Sequence, residues 1–113
     1  MILRKWKNQR NNHNLTMILE PKYRNIISDY FQNKPVLKAY LFGSYVREQA
    51  NEQSDVDILL ELDYSQYTGL TFVQMQLDLQ DMLFREVDLV SERGLSKFIK
   101  PFIEQEKELI YAR

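Results

Sequence analysis

Three aspartates stand in apolar surroundings where a carboxylate has to be explained. Asp55 and Asp57 open the run DVDILLEL at residues 55–62, and Asp88 interrupts EVDLV at residues 86–90. In an extended strand, residues i and i+2 point to one side, so Asp55 and Asp57 share a face with Cβ atoms roughly 6.5 to 7 Å apart. If the strand bearing Asp88 lies beside theirs, a third carboxylate enters the same space. Three carboxylates so placed cannot all stay ionised unless a positive charge joins them, because each raises the pKa of the others. A divalent cation supplies that charge. An all-oxygen donor set favours Mg2+, with Mn2+ as the substitute, over zinc.

A different part precedes them. Gly43-Ser44 closes a short apolar run and is separated from Asp55 by ten residues. Glycine lets the backbone turn tightly or approach a ligand closely. A short helix opening at Ser44 would present free N–H groups and a hydroxyl, the donors an anion needs. Anion donors beside a carboxylate metal site are what a metal-bound triphosphate requires. Either element alone is commonplace, and Asp55 and Asp57 could equally be the solvated entrance of a strand, with Ser44 a mere cap. The combination at this spacing, with Asp88 following, is far rarer.

Position for these residues must come from the surrounding elements. Tyr23, Ile26, Ile27, Tyr30 and Phe31 recur at helical spacing, which predicts an amphipathic helix over residues 21–33, opened by Pro21 and stopped by Pro35. Residues 36–42 read as a strand, 45–50 as a short helix or turn, and 56–62 as a second strand. A long helix follows over 70–84. Val73, Leu77 and Phe84 mark one side of it and Phe72, Met75, Leu79 and Met82 another, so it should bury much of its girth. Residues 86–90 form a third strand, 95–105 a last helix with Pro101 as an awkward interior residue, and 109–111 an edge strand. The order predicts an α/β (α+β) domain with a small mixed sheet flanked by helices. The aromatic residues at helical spacing read as core. Glu104, Glu106 and Glu108 read as a solvated face, and Arg85, Arg93, Lys97 and Lys100 as surface charge.

Composition narrows the classes. The chain has 113 residues, 44% of them hydrophobic, enough for one domain with a core. It has no cysteine, which excludes disulfides and thiolate chemistry. The formal net charge is -1, so no general nucleic-acid or membrane partner is expected. Residues 1–16 hold Arg4, Lys5, Lys7 and Arg10 and no acid. They read as a basic, flexible extension ahead of a domain at 17–113, with His13 and Trp6 in no constellation. No apolar run is long enough to span a bilayer, and the start lacks a secretory h-region, which points to the cytoplasm.

The stretch LFGSYVREQANEQSDVDILLEL followed by REVDLV resembles the minimal nucleotidyltransferase (MNT) family of the polymerase-beta-like superfamily, over residues 17–111. The family signature is Gly-Ser, ten residues, Asp-x-Asp, and a third Asp on a later strand. The resemblance implies a single-domain nucleotidyltransferase fold. It implies that Asp55 and Asp57 coordinate two Mg2+ ions, that Asp88 completes the site as ligand or base, and that Gly43, Ser44 and Arg47 hold the phosphates of ATP. Small stand-alone members resemble antitoxins paired with a HEPN-type toxin, to which they are implied to transfer AMP on a tyrosine. The apolar excess on the long helix would suit such a partner or a second copy of the chain. The alternative is a catalytically silent antitoxin that neutralises its toxin by binding alone. A glycosyltransferase site is disfavoured by the short chain. One departure stands out: relatives commonly carry Gly after the Arg, where this chain has Glu48-Gln49.

Overall fold

The computed structural model of the protein describes residues 18–113, so the basic extension expected at 1–16 lies outside the described residues. Helix α1 spans Pro21–Phe31, with the proline in its first turn, where the missing N–H leaves no bond unmade. Ile27 and Phe31 are fully buried, and Tyr23, Ile26 and Tyr30 pack beside them, so the predicted stripe is the inward face. Strand β1 (Val36–Phe42) runs into a single 3-10 turn at Gly43–Tyr45, and strand β2 covers Val56–Leu62. Helix α2 (Gly69–Leu83) leads to β3 (Val87–Ser91), and after a second 3-10 turn come α3 (Lys100–Glu106) and β4 (Glu108–Ala112).

The strands form one mixed sheet in the order β3-β2-β1-β4. β1 is antiparallel to both β2 and β4, while β2 and β3 are parallel. A parallel pair needs a crossover, and α2 supplies it. Register and alternation sort the side chains. Val56, Ile58 and Leu60 share a face with Ala39 and Leu41 of β1 and with Val87 and Leu89 of β3. These buried residues join Ile27, Phe31, Met75, Leu79 and Leu83 from α1 and α2 in one core cluster. Burial of each such large side chain contributes roughly 1.5 to 3 kcal/mol, and this face is therefore the one that holds the sheet flat against its helices. The other face carries Phe42, Asp57 and Asp88 at one end.

Two expectations are corrected. The last helix begins at Lys100, not at residue 95, so Pro101 falls in its first turn and introduces no kink. Helix α2 buries one side, through Met75, Leu79 and Leu83, while Leu70, Val73 and Leu77 stay exposed. Two apolar stripes on one helix need two covering layers, and the sheet provides one. The edge strand expected at 109–111 is present as β4. Among the described residues, no helix is long and apolar enough to cross a membrane.

Candidate active site

Asp57 and Asp88 are direct register partners on the parallel strands β2 and β3. Neighbouring strands lie about 4.8 Å apart, so the two carboxylates leave the sheet side by side on its less covered face. Asp55 precedes β2 by one residue and is exposed, as Asp88 is, while Asp57 is half-buried. Burial pushes the Asp57 carboxyl up to about 6, with the charges of Asp88 and then Asp55 adding to the rise and Arg47 opposing it. The set is open. Among the described residues, no three acidic or imidazole side chains close around a single point.

The Gly43–Tyr45 turn stands against this pair. Phe42 pairs with Asp57 across β1 and β2, so the chain turns immediately beside the carboxylate. Gly43 adopts φ +81°, and a Cβ built on it would lie 2.1 Å from Asp57 Oδ2. Only glycine allows both the backbone conformation and the approach. The carbonyl of Gly43 accepts from the N–H groups of Val46 and Arg47 at 3.0 Å each, and that of Ser44 accepts from Gln49 N–H at 2.9 Å. Tyr45 buries its ring beneath the turn, and its hydroxyl accepts from Arg85. Ser44, between two anchored residues, is half-buried at the surface of the turn.

The turn is also fastened from the far end of the chain. Gly43 N–H donates to Glu106 Oε2 at 2.6 Å, and Arg47 Nη1 donates to both oxygens of the same carboxylate at 3.1 and 3.2 Å. Arg47 Nε reaches Gln49 Oε1 at 3.4 Å. Glu48 sits at φ +60°, the left-handed region.

Residues 25–113 match the family model described as polymerase beta, nucleotidyltransferase. The chain belongs to that nucleotidyltransferase family. A Methanocaldococcus jannaschii relative, assigned by name as a protein adenylyltransferase, is 32% identical over 92 residues, covering 80% of this chain and 87% of its own. A solved minimal nucleotidyltransferase superposes with a TM-score of 0.69 at 29% identity, over 77% of this chain and 88% of that one. The structure of a tri-AMPylated Shewanella oneidensis HEPN toxin in complex with MNT antitoxin matches with a TM-score of 0.65 at 20% identity, over 84% and 74% of the two chains, a likeness of fold.

For this nucleotidyltransferase, the structure brings Gly43, Ser44, Asp57 and Asp88 to one end of the sheet, with Asp55 at the mouth and Arg47 on the flank. The backbone at residue 48 is left-handed, the conformation that suits the glycine expected there from the resemblance, and this chain places Glu48 in it at a cost of roughly 1 kcal/mol. Glu106, expected on a solvated face, is instead half-buried against the turn. Its spacing from Glu104 and Glu108 carries no signal, because which acid of an alternating run turns inward depends on how α3 meets the sheet. Two of the expected surface cations are engaged: Arg85 on Tyr45, and Arg93 with its guanidinium 3.7 Å from the ring centre of Tyr64. The donor set of the aspartates is all oxygen, and Asp57 bears the repulsion of its neighbours, which is the condition a hard divalent cation relieves.

Proposed function

We propose that the protein transfers AMP from ATP to a hydroxyl of a protein partner, a tyrosine of a HEPN-type toxin, and acts as its antitoxin. The observation that carries this reading is the register of Asp57 with Asp88 directly beside the Gly43-Ser44 turn. Asp55, Asp57 and Asp88 would hold two Mg2+ ions, whose charge favours attack at the α-phosphate and departure of pyrophosphate. Ser44 and Arg47 would bind the outgoing phosphates, with Gly43 letting the backbone approach them closely, and so align the triphosphate along the sheet end. Asp88, exposed on β3, meets the incoming hydroxyl and takes its proton. The acceptor oxygen bonds to the α-phosphorus as the bond to the pyrophosphate oxygen breaks. Positioning and charge supply most of the rate, since no covalent intermediate on the protein is needed.

Relatives named as adenylyltransferases and the fold shared with a chain of the HEPN–MNT complex support this choice of nucleotide and partner. The exposed side chains Phe98, Ile99 and Phe102 lead into and line α3, whose last residue touches the Gly43 turn. A partner that delivers a hydroxyl to Asp88 would cover them. The test is incubation with α-labelled ATP, Mg2+ and the product of the adjacent gene. Label should pass to a tyrosine of the partner, and EDTA or Asp57→Asn should abolish transfer. A stable complex that acquires no label, with affinity unchanged by Asp55→Asn, would establish a binding-only antitoxin instead.

A further inference from the structure

A single carboxylate ties together the beginning and the end of the phosphate-binding segment. The Gly43–Tyr45 turn uses the carbonyls of Gly43 and Ser44 for its own bonds, and the N–H of Gly43 points out of it. That N–H finds Glu106 Oε2 at 2.6 Å, a short, charge-assisted bond made across 63 residues of sequence. Arg47, at the exit of the turn, donates to both oxygens of the same side chain. Arginine is a long side chain with considerable rotamer freedom, and free in solvent it would meet a phosphate only after losing that freedom. Here Nη1 is held by Glu106 and Nε by Gln49, which leaves Nη2 with no partner among the described residues. The turn that Glu106 fastens is also the one that abuts Asp57 Oδ2. A shift of Gly43 would therefore move the carboxylate beside it.

We propose that Glu106 is a positioning residue for the nucleotide: it presets Arg47 and the Gly43-Ser44 turn in the geometry that accepts the triphosphate. The carboxylate itself does not touch ATP. Its effect reaches the ligand through Arg47, whose ordering is completed before binding and is not charged against affinity. This rests on the nucleotide-binding reading above. The opposite role is also physically coherent, a carboxylate that occupies the anion donors and must be expelled by phosphate. The two roles predict opposite signs.

The test is calorimetric titration of the full chain with ATP and Mg2+, alongside thermal unfolding, for wild type, Glu106→Gln, Arg47→Ala and the double variant. Glutamine can still accept from Gly43 N–H but loses the charge that holds Arg47. ATP binding should weaken by about tenfold or more in Glu106→Gln, the scale of one lost charge-assisted bond, while the unfolding temperature changes little. The double variant should bind no worse than Arg47→Ala alone, because the effect passes through that side chain. Unchanged or tighter binding by Glu106→Gln, or losses that add in the double variant, would overturn the proposal. Should Glu106→Gln fail to fold, Arg47→Lys carries the test. Lysine keeps the charge but lacks the rigid fork that spans Glu106 and Gln49, so wild-type affinity in that variant would overturn the role. A wild-type chain that binds no ATP refutes the nucleotide reading and this inference together, whereas wild-type binding with an indifferent Glu106→Gln refutes only the inference.

Discussion

The α-carbon of Gly43 lies so close to the Asp57 carboxylate that a methyl group there would overlap Oδ2 at 2.1 Å. Turn and carboxylate pair are therefore one mechanical unit. Gly43→Ala should cut nucleotidyl transfer by about a hundredfold, because a misplacement of about 1 Å at the reacting groups has that effect. It should also lower stability by more than the roughly 1 kcal/mol expected from a left-handed backbone alone. Rate assays with α-labelled ATP and thermal unfolding check the two parts separately.

Asp57→Asn should abolish transfer and yet leave the metal-free fold at least as stable as wild type. The Asp57 pKa is raised from its ordinary 3.8 to about 6, by burial first and then by Asp88 and Asp55. A carboxyl with a raised folded-state pKa binds its proton more tightly when folded, so its contribution to stability falls as pH rises between those two values. The side chain is only half-buried, and solvent screening brings the expected gain from the asparagine to about 1 kcal/mol. Unfolding in EDTA should show that gain at pH 7 and little of it at pH 4.

Glu48→Gly should stabilise the protein by about 0.5 to 1 kcal/mol. The residue occupies φ +60°, where glycine carries no Cβ penalty. Transfer activity should stay within about twofold, since Glu48 is exposed and makes none of the contacts that define the site. A fall in unfolding temperature would show that the Glu48 side chain has a role of its own.

The two apolar sides of α2 should respond differently. Leu79 is fully buried in the core, and Leu79→Ala should cost about 2 to 5 kcal/mol. Leu77 is 49% exposed, and Leu77→Ala should cost no more than about 0.5 kcal/mol. Denaturant titration of both variants distinguishes them, and equal losses would place Leu77 in contact with a layer absent from the described residues.

Much of the candidate site was legible because it is local. Asp55 and Asp57 share a face whatever surrounds them, since two residues of strand bring the side chain back to the same side. Gly43-Ser44 at the end of one apolar strand and Asp-x-Asp at the start of the next required only a chain reversal between them. The helix at 21–31 and the strands at 36–42 and 56–62 carry their own periodicity and stop signals, and the structure keeps them nearly to the residue. The stripes of α2 did not resolve, because periodicity shows that a face is apolar and not whether anything covers it. The start of α3 was missed because Leu95, Phe98 and Ile99 continue an apolar pattern that Pro101 can only enter from a first turn.

What the amino-acid order alone determined is the content of the site: two carboxylates on one face, a turn that needs glycine, and a third carboxylate in a strand of its own. The tertiary structure decided the alignment. Asp88 stands beside Asp57 because β3 pairs parallel to β2 in one particular register, and a slip of a single residue would send it to the core face. Glu106 reaches Gly43 and Arg47 because α3 ends beside the turn, joining residues far apart in sequence through bonds that no local pattern encodes. Spacing governs what neighbours in the chain can share, whereas contacts across the chain depend on which faces the whole core can bury at once.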